Sequence, residues 1–367
     1  MEFLVFALKK TKAFLFRTKC RRVKMKNFVC LSFLLLISST ALANDEAQFR
    51  IIFPAYRFPL EPEGIEMWDA LIQAAGIPDF ELHVIMNPAS GPGDFTNPGY
   101  LDESVDPPTG VVVDLKQAGA FIYGYVATGF ANRDMEAVEA DVLGYCEHYP
   151  GIIDGFFIDE VSNELGDLDF YSSLRNFISG AMQGAPIIAN PGTTFINNTS
   201  GQTQFDVVDY IEAFDTIISI ENEGPFYFNS YDQADVPVDL NPSQIGHLVH
   251  GQMDWEPEFL ELALSRGAGF LYFTDDEFDP DDFTIEPFDL LPTFWNDFVS
   301  DIIDFNNQTG FFELGNLNGD DQVDLLDVAP FVDLLTNGNF RLQGDLNCDG
   351  NVNLLDVAPF VERLTNP

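Results

Sequence analysis

Cysteine and histidine are scarce in this sequence, which limits the chemistry available to it. The 367 residues include four of each. Cys20 and Cys30 fall in an N-terminal segment described below, and Cys146 and Cys348 fall in what we take to be separate domains. Neither a disulfide framework nor a zinc-ligand spacing is present. Since the histidines do not cluster either, we expect catalysis without a metal or other cofactor.

Apolar runs long enough to span a membrane are also lacking. The run Phe28–Ile37 follows Lys24 and Lys26 and precedes the small-residue site Ala41-Leu42-Ala43, which is the order of a secretory signal peptide. It is shorter than the about 20 residues of a transmembrane helix. We therefore expect residues 1–43 to be a leader that starts at Met1 or Met25, and the protein to be secreted or held at the cell surface without a membrane span.

Basic side chains are few, and most of them precede the mature chain. Lys and Arg number 17 against 59 Asp and Glu. Nine of the basic residues and one of the acidic residues precede Asn44, which leaves 8 against 58 and a net charge of 50 negative. Such a charge repels nucleic acid and anionic lipid and favours cations. Calcium, a saline medium and a polycationic substrate are the alternatives.

Short apolar runs alternate with segments of helical spacing through residues 44–305. The runs are Arg50–Phe53, Leu82–Met86, Ala120–Val126, Gly155–Ile158, Pro186–Ala189, Thr216–Ile220, Ile245–Val249 and Gly269–Phe273. Helical spacing marks Ile65–Ala75, Met135–Tyr149, Leu168–Met182, Pro257–Arg266 and a last helix near Leu291–Phe305. Eight buried strands separated by helices favour an α/β fold, a (β/α)₈ TIM barrel. A doubly wound sheet is the alternative.

Polar residues follow most of these runs, where a barrel places its active site. They include Asn87, Tyr125, Asp159-Glu160, Asn190, Glu221-Asn222-Glu223, His250 and Asp275-Asp276. Together they predict a polar pocket of the size of a sugar.

The carboxylates predict hydrolysis of a glycosidic bond. Asp159-Glu160 and Glu221 or Glu223 lie two strands apart, and glycoside hydrolysis needs two carboxyl groups roughly 5 to 9.5 Å apart. Aromatic rings for a saccharide are offered by Tyr56, Tyr125 and Tyr227. Each carboxylate alone is typical of a helix cap. A non-catalytic carbohydrate-binding or cell-surface structural protein on a barrel scaffold is therefore the alternative.

Seven segments, in order along the barrel, resemble the spherulation-specific family 4 (spherulin-like) domain. They are Pro54-Ala55-Tyr56, Val84 to Gly93 with its Asn-Pro-x-Ser-Gly-Pro-Gly loop, Gly124 to Thr128, Gly155 to Glu160, Asn190-Pro191-Gly192, Leu248-Val249-His250 and Tyr272 to Asp276. The resemblance implies a (β/α)₈ glycoside hydrolase, endo-acting and galactosaminidase-like, that cleaves a galactosamine-containing extracellular polysaccharide.

The resemblance also implies roles for single residues. Asp159 would be the nucleophile or charge stabiliser and Glu221 the general acid/base, with Glu160 completing the acidic set. The implied substrate contacts are Tyr56, Asn87, Tyr125, Asn190, His250 and Asp275. Two departures are Ile220, where the family has an aromatic residue, and Ala127, where it often has a basic one. Because of the departure at Ile220, Glu223 is an alternative to Glu221 as the second carboxylate.

A repeat with a period of 29 residues follows a linker at 306–314, where Leu325–Val332 recurs as Leu354–Val361. The second copy places oxygen side chains around Gly350 in the order of a calcium loop: Asp345, Asn347, Asp349, Asn351, Asn353 and Asp356. The first copy offers Asn316, Asn318, Asp320, Asp324 and Asp327, with Asp321 in place of the glycine. Residues 315–367 resemble an all-α dockerin type I module, which implies Ca²⁺ and a cohesin or cell-surface partner.

Overall fold

The computed structural model describes residues 49–78, 80–193, 211–231, 240–278 and 287–308, and in the tail 315, 317, 323–337, 344, 346 and 352–365. The predicted leader lies outside these ranges. No helix within them is both long and apolar enough to cross a membrane.

Eight parallel strands close into one barrel in the order of the chain. The strands are β1 (Arg50–Ala55), β2 (Leu82–Met86), β3 (Phe121–Ala127), β4 (Gly155–Asp159), β5 (Ile187–Ala189), β6 (Thr216–Glu223), β7 (Ile245–His250) and β8 (Phe270–Phe273). Each predicted run forms one of them, so the barrel is confirmed and the doubly wound alternative is wrong.

Helices alternate with the strands and pack on the outside of the barrel. They are α1 (Pro62–Ala75), α2 (Val111–Ala118), α3 (Met135–His148), α4 (Leu168–Ala181), α5 (Gly224–Asn229), α6 (Glu258–Ser265) and α7 (Trp295–Gln308). The sequence did not predict α2, because its first turn is the β-branched run Val111-Val112-Val113, which favours a strand. It also missed α5, which is a short helix that begins with Gly224 and Pro225.

The lower part of the barrel is filled, as expected of this fold. The His83 ring stacks on Phe121 with centroids 4.8 Å apart and meets Phe270 edge-on at the same distance. Its Nδ1 lies 3.1 Å from the hydroxyl of Tyr123. These side chains occupy the barrel interior near the end where the strands begin.

A β-bulge in β6 decides which side chains of that strand face inward. Ile218 pairs with Gly246 of β7, but the next pair is Ile220 with His247, which leaves Ser219 as an extra residue. Since side chains alternate along a strand, one extra residue reverses the face of those that follow. Glu221 is thereby paired with Leu248, on the inner face, whereas a regular strand would turn it toward the helices.

His247 and His250 face opposite sides of β7, as predicted. His247 is fully buried outside the barrel, with Nδ1 3.0 Å from the Tyr227 hydroxyl and Nε2 3.3 Å from that of Tyr231. The guanidinium of Arg266 lies 4.5 Å from the centre of the Tyr227 ring. This corrects the expectation for Tyr227, which is buried in this network and offers no face to a saccharide.

Burial lowers the pKa of His247 to about 3, with a further contribution from Arg266. In the unfolded chain the His247 imidazole takes up a proton near its ordinary pKa of 6.5. In the folded protein it remains neutral until the pH approaches 3. The stabilisation that depends on neutral His247 is therefore fully present above pH 6.5 and is lost as the pH falls toward 3.

We expect His247→Asn to flatten the acid limb of the stability profile. In the unchanged protein this residue contributes a slope of at most about 1.4 kcal/mol per pH unit to the free energy of unfolding. Urea unfolding at pH 7, 5.5 and 4 measures the slope, with His148→Asn on α3 as the matched control. Equal slopes for the unchanged protein and His247→Asn would contradict the prediction.

The tail has its own cluster of buried residues. It consists of Leu317, Phe331, Leu334 and Phe360. The helices α8 (Val328–Asn337) and α9 (Val357–Thr365) each contribute one ring to a stacked pair, Phe331 and Phe360, with centroids 4.2 Å apart. Each copy of the repeat thus supplies one helix to a small shared core.

Candidate active site

Two carboxylates and one amide meet where β4, β5 and β6 end. The Nδ2 atom of Asn190 lies 2.9 Å from Oδ1 of Asp159 and 2.5 Å from Oε2 of Glu221. These two oxygens can therefore be no farther apart than the sum, 5.4 Å. Asn190 was predicted as a substrate contact, and its bond to both carboxylates was not foreseen.

The orientation of the Asn190 amide follows from its surroundings. Its Oδ1 accepts a hydrogen bond of 3.0 Å from the backbone N–H of Gly192, so the amino group must face the carboxylates. The backbone N–H of Asn190 donates a hydrogen bond to the Ile158 carbonyl, and its carbonyl accepts one from the Val161 N–H. The side chain is only 6% exposed. Asn190 is thus a rigid donor with one N–H for each carboxylate.

Burial and mutual repulsion separate the proton affinities of the two acids. Burial raises the pKa of Glu221 to about 7, with a further contribution from the Asp159 charge. Burial also raises the pKa of Asp159, but hydrogen bonds from Tyr125 and Asn190 oppose the rise. The Tyr125 hydroxyl donates to Asp159 Oδ2 over 2.7 Å. A pKa of about 7 lets Glu221 carry a proton near neutral pH, whereas the hydrogen bonds from Tyr125 and Asn190 favour the ionised form of Asp159.

Aromatic rings form the wall beside this pair. Tyr56, at the end of β1, meets the ring of Tyr125 edge-on at 5.7 Å and that of Phe288 at 6.1 Å. Burial is the main cause that raises the pKa of Tyr56, and the charges of Asp159 and Glu221 add to the rise. The Tyr56 hydroxyl is therefore close enough to both acids to be affected by their charge. The structure therefore brings Tyr56 and Tyr125 together with the carboxylates.

His250 lies farther along the same rim. Its ring is 6.4 Å from Phe288 and 6.2 Å from Phe278. Burial lowers its pKa, and the nearby Glu223 opposes that shift. Phe288 was missed because it lies in an acid-rich segment whose composition is typical of a solvated loop.

Two residues of the predicted set, Glu160 and Asn87, are hydrogen-bonded to the backbone of loops at the rim. Glu160 is exposed, and its Oε2 accepts from the Gly129 N–H over 3.1 Å. The Asn87 Oδ1 accepts from the Gly91 N–H over 2.9 Å, within its own loop. These contacts place the Glu160 carboxylate against the loop after β3, and they give Asn87 a role in shaping the β2 loop.

Neither Asp275 nor Glu223 is among the hydrogen-bond partners of Asn190. Asp275 accepts hydrogen bonds of 3.0 and 2.5 Å from the backbone and hydroxyl of Thr293, which ties the β8 loop to the start of α7. Glu223 is the exposed last residue of β6, next to His250 in the ladder with β7. Glu221, and not Glu223, is the carboxylate that shares the Asn190 amide with Asp159.

In the tail, the two repeats have the same carboxylate geometry. Asp356 Oδ2 accepts from the Asn353 N–H over 2.8 Å, and Asp327 Oδ2 accepts from the Asp324 N–H over the same distance. Asp327 and Asp356 are fully buried. The other predicted ligands lie outside the described residues: Asn316, Asn318, Asp320, Asp345, Asn347, Asp349 and Asn351.

A closed eight-stranded α/β barrel with paired carboxylates at its C-terminal rim defines the class of this protein. Residues 50–302 match the profile of the family described as spherulation-specific family 4. This match covers more than half of the chain, so the chain belongs to that family, as its motifs indicated.

The alignment with an individual relative covers a smaller part of the chain than the family match does. Spherulin-4 of Physarum polycephalum is 30% identical over 155 residues, which is 41% of this chain and 41% of that protein. The chain thus aligns with less than half the length of this curated relative.

Two solved structures are similar to this chain at low sequence identity. DHDPS from Cyanidioschyzon merolae with lysine bound is 13% identical, with a TM-score of 0.33 over 61% of this chain and 69% of its own. The spore coat polysaccharide biosynthesis protein spsE of Bacillus subtilis is 12% identical, with a TM-score of 0.38 over 71% and 69%.

We expect Asp159→Asn to lower the pKa of Glu221 below about 7, because the change removes a neighbouring negative charge. Carbon-detected NMR titration of glutamate-labelled protein measures the shift. Glu223→Gln is the matched control and should leave the Glu221 titration in place. A Glu221 pKa that is unchanged by Asp159→Asn would show that the two carboxyls do not interact.

Proposed function

We propose that this protein is a glycoside hydrolase that cleaves an extracellular galactosamine-containing polysaccharide with retention of anomeric configuration. The observation that carries the proposal is the Asn190 amide bonded to both Asp159 and Glu221, which keeps one oxygen of each within 5.4 Å of the other. Retaining enzymes hold their carboxyl groups roughly 5 to 5.5 Å apart, whereas inverting ones need about 6.5 to 9.5 Å.

Each carboxylate has the environment its step requires. Asp159, whose ionised form is stabilised by hydrogen bonds from Tyr125 and Asn190, attacks the anomeric carbon. Glu221, protonated near neutral pH, donates its proton to the departing glycosidic oxygen. Glu221 then removes a proton from water, which hydrolyses the glycosyl ester on Asp159 and restores both groups.

The substrate class is inferred from family membership and charge. Members of spherulation-specific family 4, as the sequence resemblance implies, act on galactosamine-containing polymers. A mature chain with 8 basic and 58 acidic residues attracts a polymer that carries free amines. The predicted leader at residues 1–43 supports an extracellular location, where such polymers occur.

The competing function is carbohydrate binding without catalysis, since a barrel alone does not imply chemistry. We expect Asp159→Asn and Glu221→Gln each to lower release of reducing ends by at least about 10²-fold, because each removes a group that acts in the reaction. Both variants should still bind the polymer. Glu223→Gln is the control and should retain activity.

The polymer for this test is a galactosamine-containing polysaccharide, with reducing ends assayed chemically and the anomer of the first product read by proton NMR. An unchanged protein that binds the polymer but releases no ends would favour the binding function. An inverted first product would contradict the assignment of Asp159 as nucleophile.

For the tail we propose calcium binding and attachment to a partner. A cation would offset the charge of the buried carboxylates of Asp327 and Asp356, and the other side chains that the sequence offers in each loop carry oxygen. Four leucines in equivalent positions of the two repeats are exposed: Leu325 at 81%, Leu326 at 64%, Leu354 at 81% and Leu355 at 66%. Repeated exposed apolar pairs support a docking surface for a protein receptor of the cohesin kind or at the cell surface.

We expect calcium titration to show one tight and one weaker site, at least about tenfold apart in affinity. The Asp345–Asp356 loop has Gly350 at its sharp turn, whereas the Asn316–Asp327 loop has Asp321 there. Isothermal calorimetry measures both sites. Asp356→Asn should remove the tight site and Asp327→Asn the weak one. Two sites of equal affinity would contradict this asymmetry.

A further inference from the structure

The loop after β3 holds a run of residues in a costly backbone conformation. Gly129, Phe130 and Ala131 have φ angles of 57°, 56° and 61°. The left-handed region suits glycine but strains residues that carry a Cβ atom. Such strain persists only where surrounding contacts impose it, and it concentrates at functional sites.

The contacts that impose this conformation come from the residue beside the proposed nucleophile. Phe130 donates its N–H to the Glu160 carbonyl over 2.7 Å, and Gly129 donates to the Glu160 carboxylate over 3.1 Å. The buried Thr128 hydroxyl lies 2.8 Å from the same carbonyl. Glu160 is itself left-handed, with φ of 51°. The end of β4 and the loop after β3 therefore form one hydrogen-bonded unit.

The strained loop exposes an aromatic ring. Phe130 is 56% exposed, so packing into the core does not explain its presence. A glycine would adopt the same φ without strain and without exposing apolar surface to water. The combination of strain and exposure points to a ligand that contacts the ring.

Other exposed apolar side chains lie on the same face of the barrel. Phe95, Phe226, Met253 and Phe278 are 66%, 43%, 61% and 41% exposed, and they follow β2, β6, β7 and β8 respectively. Phe130 and these four side chains thus belong to segments that follow strands of the barrel, at the end that carries Asp159 and Glu221.

We propose that Phe130 is a binding platform on which a sugar ring of the galactosamine-containing polysaccharide stacks, next to the cleavage position. Glu160 and Thr128 position this platform. This inference rests on the proposed function, because the occupant is the same polymer. The apolar face of a sugar packs on an aromatic ring, and the carboxylates nearby suit its amino groups.

The test is binding of galactosamine-containing oligosaccharides of two and six units by full-length protein that carries Asp159→Asn, so that nothing is cleaved. Adding Phe130→Ala should weaken binding of the longer sugar about tenfold, a typical effect of losing one aromatic contact. The loss should be smaller for the disaccharide. Phe130→Trp should restore binding, and Phe130→Leu, which is apolar without a flat ring, should not.

Leu143→Ala is the matched control, because Leu143 is 49% exposed on α3, away from the rim. Circular dichroism of each variant checks that the fold is kept. If Phe130→Ala binds the longer sugar within twofold of its parent, the platform is overturned and the proposed hydrolase stands. If the Asp159→Asn protein itself binds neither sugar, both the substrate assignment and the platform are overturned.

Discussion

The site depends on one amide group that is hydrogen-bonded to two carboxylates. Burial disfavours the ionised form of Glu221, and the neighbouring Asp159 charge disfavours it further, so the pKa of Glu221 rises to about 7. Asn190 offsets part of this repulsion with one N–H to each acid. The strand order makes this contact possible, because β4, β5 and β6 are neighbours and their ends lie side by side. Of the two acids, Glu221 is the one whose pKa of about 7 allows it to carry a proton near neutral pH.

Much of the barrel was predictable because parallel strands of this fold are buried on both faces and read as continuous apolar runs. The face of Glu221 was not. A plain alternation from Thr216 would turn Glu221 outward, and only the extra residue Ser219 reverses it. That bulge is set by the register against β7, a contact between distant parts of the chain. The identity of the second carboxylate therefore required the structure.

Neighbouring residues of a strand face opposite ways, and this explains the division between Asp159 and Glu160. Asp159 points into the barrel toward Tyr125 and Asn190, while Glu160 turns back to hold the loop after β3. A motif of two adjacent acids predicts carboxylates at the rim but does not say which one faces the substrate. The left-handed φ of Glu160 is invisible in the sequence, since it arises from the hydrogen bonds of that loop.

The basic side chains of the described barrel have partners within the protein. Each Lys or Arg side chain there meets a carboxylate or a backbone carbonyl: Arg50, Arg57, Lys116, Arg133, Arg175 and Arg266. Exposed pairs of this kind add little stability. Because these basic side chains already have partners, they do not neutralise the remaining carboxylates of the surface. Salt screens such a surface over about 8 Å at physiological ionic strength. Attraction of an amine-bearing polymer to the rim is therefore strongest in dilute salt, where repulsion among the carboxylates also most destabilises the fold.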